Sequence, residues 1–289
     1  MQPLRSYLVC ATPRSGSTLF CEILSNTDIA GRPKEYFEML IETGLPRQPQ
    51  QYFEPNDEHA DVIDMLGRPL LHSNPAWFVQ WGGENYARYL THILEEGTTS
   101  NAVFGAKMMW GYFADFSSSV RQVPAYADPE LTVPELLARI FPRLQYIRVT
   151  RLDKARQAVS LWKAIQTQQW REDVSIAEAQ HEAIPQKKSA VFNFSALRHL
   201  ERQIIAHEAA WQNYFAASGI QPLVIVYEEL IDAFEETMQR VFQYPDIPEP
   251  EKITRPPMQR QADAQSEDWV QQYQYLKQAQ EDGSVESVA

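Results

Sequence analysis

The sequence has few cysteines, little positive charge and no long apolar run, and each shortage excludes a class of protein. Its two cysteines are too few for a disulfide framework, and no cysteines and histidines have the spacing of a zinc site. Asp and Glu (38) outnumber Lys and Arg (26), so the formal net charge is −12. Binding nucleic acid or an anionic membrane needs a basic face, and we expect neither partner. No apolar run reaches the roughly 18 residues of a transmembrane helix.

The remaining composition is that of a globular protein. The 289 residues are 44% hydrophobic and 22% charged. A chain of this length buries roughly 75% of its unfolded surface, so it needs no disulfide, and we interpret Cys10 and Cys21 as reduced core residues. No signal-type segment precedes the first predicted strand, and we expect a cytoplasmic protein. We predict a single domain over 1–289, with loop or lid insertions at about 41–60 and 172–193 and a flexible tail at 283–289.

The most informative stretch is residues 6–18, Ser-Tyr-Leu-Val-Cys-Ala-Thr-Pro-Arg-Ser-Gly-Ser-Thr. An apolar run at its start is typical of a buried parallel strand, and an amphipathic helix follows the break at Pro13 and Gly16. A helix N-terminus after such a loop favours an anion, because its backbone N–H groups and its dipole are both positive there. The expected anion-binding residues are Thr12, Pro13, Arg14, Ser15, Gly16, Ser17 and Thr18.

This loop lacks the Walker A pattern. Gly16 is followed by Ser17 rather than Lys, and Ala stands at position 11. Kinases hold a triphosphate with a cationic side chain and Mg²⁺, whereas this loop offers Arg14 and hydroxyls, which suits a less highly charged transferred group. The alternative for the loop taken alone is an ordinary strand-to-helix turn with Arg14 in solvent.

Three other residues are functional candidates with simpler alternatives. Glu35 lies beside aromatic residues, a setting that raises the pKa of a carboxyl group, although a surface Glu would look the same. Lys107 interrupts an apolar run and would need a buried partner unless it reaches solvent at the strand end. Arg151 follows a predicted strand at the end where open α/β sheets bind ligands, or it forms a surface ion pair.

The apolar patterns predict the order of secondary structure, whereas residues 114–132 look irregular. We expect one helix to begin near Asp153 and another to be capped by Ser266. Predicted strands cover 7–11, 102–110, 144–150 and 222–226, and other predicted helices cover 58–66, 84–96, 134–141, 195–218 and 232–244.

Four segments in order resemble the sulfotransferases. Residues 12–18 resemble their 5′-phosphosulfate loop, usually Pro-Lys-Ser-Gly-Thr, and the Arg-Ser-Gly-Ser-Thr form resembles the bacterial trehalose 2-sulfotransferase family. Residues 31–37, 151–162 and 255–270 resemble further segments of that family, and Tyr227-Glu-Glu-Leu resembles a segment that we interpret as structural. The resemblance implies a P-loop-like three-layer α/β fold, with a central parallel sheet flanked by helices, and 3′-phosphoadenosine 5′-phosphosulfate (PAPS) as donor.

The resemblance also implies residue roles. Glu35 would be the general base for the acceptor hydroxyl, and Arg14 and Lys107 would act at the transferred group, without a metal. Arg151 and Ser160 would hold the 3′-phosphate of the donor. Arg260 is a candidate further phosphate contact, with a solvent-facing arginine as the alternative.

The resemblance also implies that the acceptor is a small molecule with a hydroxyl group. Pro13 and Arg32 stand where the family's trehalose enzymes have Gln and Glu on the sugar-binding wall, so a carbohydrate, a glycolipid or a hydroxylated natural product fits as well as trehalose. Candidate acceptor-binding residues are Arg32, Tyr36, Phe37 and Tyr52. The family's members often form homodimers, so the resemblance allows a homodimer, with a monomer as the alternative. The alternative functions are a P-loop-like small-molecule kinase and a non-catalytic nucleotide-binding protein.

Overall fold

A computed structural model describes residues 2–38, 52–53, 59–66, 84–167, 169–170, 190–244, 247, 250, 253 and 264–282. Within these ranges the strands are β1 (Arg5–Ala11), β2 (Val103–Met109), β3 (Leu144–Thr150) and β4 (Leu223–Val226). The α-helices are α1 (Ser17–Ser25), α2 (Ala60–Leu66), α3 (Glu84–Glu96), α4 (Trp110–Arg121), α5 (Val133–Ile140), α6 (Lys154–Thr167), α7 (Phe194–Ala217), α8 (Tyr227–Asp232), α9 (Phe234–Gln243) and α10 (Ala264–Glu281). A 3₁₀ turn covers Pro124–Tyr126.

The chain divides into two compact units. The first comprises Met1–Leu45, His72–Leu152 and Ile205–Met258, and it contains the four strands. The second comprises Pro46–Leu71, Asp153–Ile204 and Gln259–Ala289. The single domain expected from the sequence therefore stays a prediction.

The sheet of the first unit is parallel throughout, in the order β2-β1-β3-β4. Its central strand β1 is buried along almost its whole length because both faces are covered. Side chains alternate between the faces: Leu8 and Cys10 join one hydrophobic cluster, whereas Tyr7, Val9 and Ala11 join the other. The predicted α/β fold, with a central parallel sheet between helical layers, is confirmed.

Different helices cover the two faces. The face of Leu8 packs against apolar side chains of α3, α4, α5 and α7, including Ile93, Phe116, Leu137 and Trp211. The opposite face packs against α1, α8 and α9, through side chains such as Phe20, Leu230 and Met238. A polar side chain of a strand that points to the second face therefore emerges next to α1.

The strand order sets the place of a ligand site in the first unit. β1 has β2 on one side and β3 on the other, so the connections that leave β1 and β3 diverge. In open α/β sheets this divergence opens a crevice at the carboxyl ends of the strands, where ligands bind. Arg14 follows β1 and Arg151 follows β3, so both borders of the crevice carry an arginine.

The second unit has its own apolar core. Helices α2, α6 and α10 and the part of α7 up to Ile204 contribute to it, with Phe53, Trp162 and Tyr273 among its fully buried side chains. As predicted, α6 begins next to Asp153, whose Oδ1 accepts the Arg156 backbone N–H at 2.8 Å.

Two predictions of local structure are wrong. Residues 114–121 are helical, because α4 extends from the end of β2 and buries Phe113, Phe116 and Val120 on one face. The three consecutive serines in this helix obscured its period. Ser266 lies inside α10 instead of capping it, and its buried hydroxyl accepts a hydrogen bond of 3.0 Å from Lys163 Nζ. Across the described ranges, no helix has the length and hydropathy needed to cross a membrane.

Candidate active site

The loop between β1 and α1 has the backbone of an anion site. Arg14 and Gly16 both have positive φ, 61° and 89°, and a non-glycine residue in this conformation is typical of a functional loop. Gly16 is the N-cap of α1 and, because it has no side chain, it forms no side-chain cap. Ser15 Oγ is fully buried, with no hydrogen-bond partner among the described residues. An anion placed at this helix start would accept hydrogen bonds from the backbone N–H groups of the first turn and from the Ser15 hydroxyl.

Gly16 also allows a close approach. A Cβ atom at this position would lie 2.2 Å from Cδ2 of Tyr227, at the start of α8. Only glycine combines this contact with a φ of 89° without strain. The ring of Tyr227 therefore packs directly against the backbone of the loop.

Arg151 reaches the same loop from the end of β3. Its Nη1 donates to the Arg14 carbonyl at 3.5 Å, and its guanidinium carbon lies 5.0 Å from the centre of the Tyr227 ring. The next residue, Leu152, donates its backbone N–H to both carboxylate oxygens of Glu228 at 3.0 and 3.2 Å. The structure thus brings together the Arg14 loop and Arg151, which the sequence had placed on separate connections.

Lys107 lies at the centre of a second polar cluster. Along β2 it shares a face with Val103 and Met109, which places its side chain next to α1. Its Nζ donates to Thr18 Oγ1 at 3.0 Å and lies 3.2 Å from Glu35 Oε2. The Lys107 side chain is only 4% exposed and that of Glu35 10%, so the ion pair is buried. The alternative of a lysine that reaches solvent is wrong.

The backbone of residues 31–35 positions Glu35. Gly31 has a φ of 71°, and a Cβ there would lie 2.6 Å from the Gly105 nitrogen, so the turn lies against β2. Lys34 then forms a parallel bridge with Ala106, and its carbonyl accepts the Lys107 N–H at 2.8 Å. This register places Glu35 beside Lys107.

Tyr112 completes this cluster, and no pattern in the sequence indicates it. Its hydroxyl donates to Glu35 Oε1 at 3.4 Å, so each carboxylate oxygen has a different partner. Tyr112 lies in the first turn of α4, just before residues 114–132, which were expected to be irregular. Without the helix, no pattern would have indicated that it faces Glu35.

The aromatic residues proposed to bind the acceptor are buried. Tyr36 and Phe37 are 7% and 3% exposed and belong to the core beside β1, where burial raises the pKa of Tyr36 far above its usual range. Tyr52 is buried in the core of the second unit. Arg32 is exposed, and its Nη1 donates to the Glu96 carbonyl at 3.4 Å, at the end of α3. Their acceptor-binding role stays a prediction.

The remaining predicted site residues are not in these clusters. Ser160 is half-buried on α6 in the second unit. Arg260 lies outside the described residues. The two cysteines are free and buried, as predicted, and burial raises the pKa of Cys10 well above its usual value.

The two clusters supply complementary chemistry. The Glu35 carboxylate can accept a proton, with the Lys107 ammonium beside it, and Thr18 connects Lys107 to the anion-binding loop. The described residues contain no group of three or more His, Cys, Asp or Glu side chains that could hold a metal ion. The absence of a metal from the reaction stays a prediction.

Comparison with known proteins gives relatives that match almost the whole chain. The chain is 33% identical over 273 residues to a trehalose 2-sulfotransferase of Mycobacterium tuberculosis, covering 93% of this chain and 94% of the relative. It is 29% identical over 285 residues to a trehalose 2-sulfotransferase of Mycolicibacterium smegmatis, covering 96% and 97%.

Solved structures of sulfotransferases are similar at low identity. A sulfotransferase domain from the curacin biosynthetic pathway has a TM-score of 0.46 and 13% identity, covering 91% of this chain and 82% of its own. A sulfotransferase from Alicyclobacillus acidocaldarius has a TM-score of 0.42 and 14% identity, covering 96% of both chains. The family model of the Stf0 sulphotransferases matches residues 6–275, and with the identity to the mycobacterial relatives this shows that the chain belongs to the Stf0 sulphotransferase family.

Proposed function

We propose that this sulfotransferase moves a sulfuryl group from PAPS to a hydroxyl of a small carbohydrate acceptor, with Glu35 as the general base. One observation carries the proposal: Lys107 Nζ contacts both Glu35 and Thr18, so the candidate base lies one side chain away from the anion-binding loop. Direct transfer requires the base and the transferred sulfuryl group to lie this close together, because the acceptor oxygen must lie between them.

The residues of the loop fit the 5′-phosphosulfate of the donor. The N-terminus of α1 has no side-chain cap, Ser15 Oγ is buried without a partner in the described structure, and Gly16 leaves no Cβ in the way. Each of these features favours an oxyanion held by N–H and O–H donors. PAPS would supply an activated sulfuryl group on a phosphate leaving group.

Each residue has a definite task in this proposal. Glu35 takes the proton from the acceptor hydroxyl as the new oxygen–sulfur bond forms and the bond from sulfur to the phosphate oxygen breaks. A positioned base contributes about 10²- to 10⁴-fold in rate. Lys107 and Arg14 stabilise the negative charge that develops on the transferred group and on the leaving phosphate.

Arg151 holds the distal phosphate of the donor. A guanidinium is suited to this task because it binds phosphate oxygens in a bidentate manner. Its fixed position beside the Arg14 carbonyl supports the assignment. Ser160 and Arg260 remain predicted further contacts.

The acceptor is proposed from the relatives. Both mycobacterial relatives are named trehalose 2-sulfotransferases, so trehalose is the first acceptor to test. Arg32 and Pro13 depart from the family's pattern, and Arg32 donates to the end of α3. Other disaccharides, glycolipids and hydroxylated natural products therefore belong in the same screen.

The test is a transfer assay with labelled donor across a panel of hydroxyl acceptors, read by the mass gain of one sulfate. We expect Glu35→Gln to lower kcat by about 10²- to 10⁴-fold while the affinity for adenosine 3′,5′-bisphosphate is retained. Glu236→Gln, an exposed position on α9, is the control and keeps full activity. An active Glu35→Gln enzyme would exclude Glu35 as the base.

The same assay separates the alternatives. Phosphate transfer from ATP and Mg²⁺ would indicate a kinase. Binding of adenosine 3′,5′-bisphosphate without turnover on any acceptor would indicate a nucleotide-binding protein. A cytoplasmic location and a homodimer stay predictions, and light scattering of the purified chain measures the second.

A further inference from the structure

One turn of α7 packs against the carboxyl ends of the strands, on the face of the sheet opposite to α1. Trp211 in this turn is 1% exposed and belongs to the same hydrophobic cluster as Leu8. It contacts the ends of two neighbouring strands, β1 and β2, whose last residues Ala11 and Met109 are partners in the sheet register. The two polar clusters of the candidate active site lie beyond these strand ends, on the other face.

The first contact of Trp211 is a hydrogen bond to the end of β1. Its Nε1 donates to the Ala11 carbonyl at 3.0 Å, and both groups are buried. Ala11 is the last residue of β1, and the anion-binding loop starts at the next residue. A buried carbonyl that loses its donor is unfavourable, so this bond fixes the point at which the loop leaves the sheet.

The second contact of Trp211 is aromatic. The ring centres of Trp110 and Phe113 each lie 5.0 Å from the centre of the Trp211 ring, and Trp110 packs edge-on at 77°. Both residues belong to the first turn of α4, and Tyr112, which donates to Glu35, lies between them in the sequence. Because aromatic rings pack in preferred geometries, these contacts fix the turn that carries Tyr112.

Helix α7 is itself bonded to the sheet one turn earlier. Glu208 Oε1 accepts the Thr150 hydroxyl at 2.6 Å, and Glu208 Oε2 lies 3.8 Å from Arg148 Nη2. Both partners belong to β3 and, being two residues apart, lie on the same face of the sheet. Residues 208 and 211 share one face of the helix because they are three apart, so the contacts of Glu208 hold Trp211 level with the strand ends.

Burial alone does not distinguish Trp211 from a tryptophan that only fills a core. Trp162 is equally buried in the second unit, and its Nε1 donates to the Val191 carbonyl at 2.9 Å. The difference lies in the segments that the partners belong to. The partners of Trp162 lie within the second unit, whereas those of Trp211 lead directly into the anion-binding loop and the Glu35 cluster.

We propose that Trp211 is a positioning residue for the transfer step: from the opposite face of the sheet, it sets the spacing between the anion-binding loop and the Glu35 cluster. This role rests on the proposed sulfuryl transfer with Glu35 as the base. A change at Trp211 leaves the N–H and O–H donors of the loop in place, so donor affinity is retained, but it shifts the loop relative to the base. Since a misplacement of about 1 Å can lower a rate by roughly 100-fold, the effect appears in kcat.

The first experiment compares Trp211→Phe, which lacks the N–H group, with Tyr244→Phe. The control lacks a hydroxyl that donates to the Gln221 carbonyl at 2.7 Å, before the amino end of β4. Trp211→Phe is expected to lower kcat by roughly 5- to 100-fold. Both KM values and the affinity for adenosine 3′,5′-bisphosphate should stay within about 3-fold, and Tyr244→Phe should keep the parent kcat. An unchanged kcat for Trp211→Phe, or a loss confined to KM, would overturn the inference.

Phe113→Leu tests the aromatic contact separately. It removes one of the two rings of α4 and keeps the bond from Trp211 to Ala11. We expect kcat to fall by roughly 2- to 10-fold, the range of one aromatic pair. If Trp211→Phe does not fold, this variant takes its place, and a parent-like kcat would then overturn the inference.

The second experiment measures amide hydrogen exchange and needs no turnover. Trp211→Phe is expected to speed exchange at residues 12–18 and 110–116 together, whereas Trp162→Phe, the matched variant in the second unit, should leave both segments at the parent rate. Unchanged exchange in either segment of Trp211→Phe would overturn the inference. If the parent chain transfers no sulfuryl group to any acceptor, the proposed function fails, and the exchange rates still decide whether Trp211 holds the two segments.

Discussion

The two polar clusters of the first unit are held together by different forces. Around Glu35, the contacts join charged and polar side chains: Lys107 and Tyr112 contact the carboxylate, and Lys107 also donates to Thr18. Around Gly16, the contacts join backbone and ring: positive φ angles, the Tyr227 ring and the Arg14 carbonyl define the site. The first cluster is an electrostatic assembly, whereas the second depends on shape.

The difference indicates how each cluster responds to change. In the Glu35 cluster, removing one charge leaves the oppositely charged side chain buried without that counter-charge. A neutral side chain of similar shape does not restore the lost interaction. In the cluster around Gly16, a single added methyl group should be about as destabilising as the loss of a charge, because the structure leaves no space for it. Substitutions that change only charge or only volume therefore distinguish the two.

The largest effect is expected for Lys107→Met, which removes the charge and keeps much of the volume. It leaves the Glu35 carboxylate buried without its cation, so the free energy of unfolding should fall by roughly 3 to 5 kcal/mol. The double variant Lys107→Met with Glu35→Gln should recover most of this stability but no activity. Urea denaturation measures both, and equal instability of the single and double variants would contradict an electrostatic assembly.

The next effect is expected for Gly16→Ala, which changes volume alone. The positive φ and the overlap with Tyr227 together cost roughly 2 to 4 kcal/mol, which should weaken binding of adenosine 3′,5′-bisphosphate by about 30- to 1,000-fold. Gly219→Ala is the matched control, since Gly219 has a φ of 63° and no atom within 4 Å of an added Cβ. Gly219→Ala has the same backbone strain but no overlap with a ring. If both variants bind adenosine 3′,5′-bisphosphate as tightly as the parent, space beside Gly16 does not control donor affinity.

A smaller effect is expected for Tyr112→Phe, which removes one hydroxyl from the Glu35 cluster. The lost hydrogen bond is worth roughly 1 kcal/mol, so kcat should fall about 5-fold with little change in donor affinity. Tyr275→Phe, at an exposed position of α10, is the control. An unaltered kcat would mean that the Tyr112 hydroxyl does not orient the carboxylate.

The smallest effect is expected outside both clusters, at His207 on α7. Its Cε1 lies 3.6 Å from the place of a Cβ at Gly111, and burial lowers the pKa of His207 below its usual value. The unfolded chain then binds the proton more readily, so this contribution to stability is present above about pH 6.5 and is lost as the pH falls. His207→Gln should flatten the fall in Tm between about pH 7 and pH 5, and the exposed His92→Gln should not.

Most of the fold could be predicted because its elements follow simple local patterns. The strand from Leu144 to Thr150 and the helix from Glu84 to Glu96 have the bounds that their apolar periods indicated. Helix α4 was missed because serines and a glycine dilute its pattern, and its stability comes from packing against the sheet. Ser266 resembled a cap because a local pattern cannot show that its hydroxyl oxygen accepts a hydrogen bond from Lys163 inside the folded unit.

Part of the candidate site was also visible in the sequence. The loop at residues 12–18, Glu35, Lys107 and Arg151 each stand next to a recognisable turn or strand end. Tyr112 and Tyr227 could not be identified in this way, because the contacts of each involve a residue distant in the sequence. Tyr36 and Phe37, which were predicted to bind the acceptor, are buried in the core, and that role stays a prediction.

The sequence by itself determined the parallel sheet, the strand-to-helix loop at residues 12–18 and the family, since periodicity, small-residue turns and motifs can be recognised along the chain without the fold. Only the tertiary structure decided which of these pieces meet. The pairing of Lys107 with Glu35, and the packing of Tyr227 between Gly16 and Arg151, depend on strand register and on the helix that covers each face of the sheet. Register is set by the burial of the whole sheet, and no short segment contains that information.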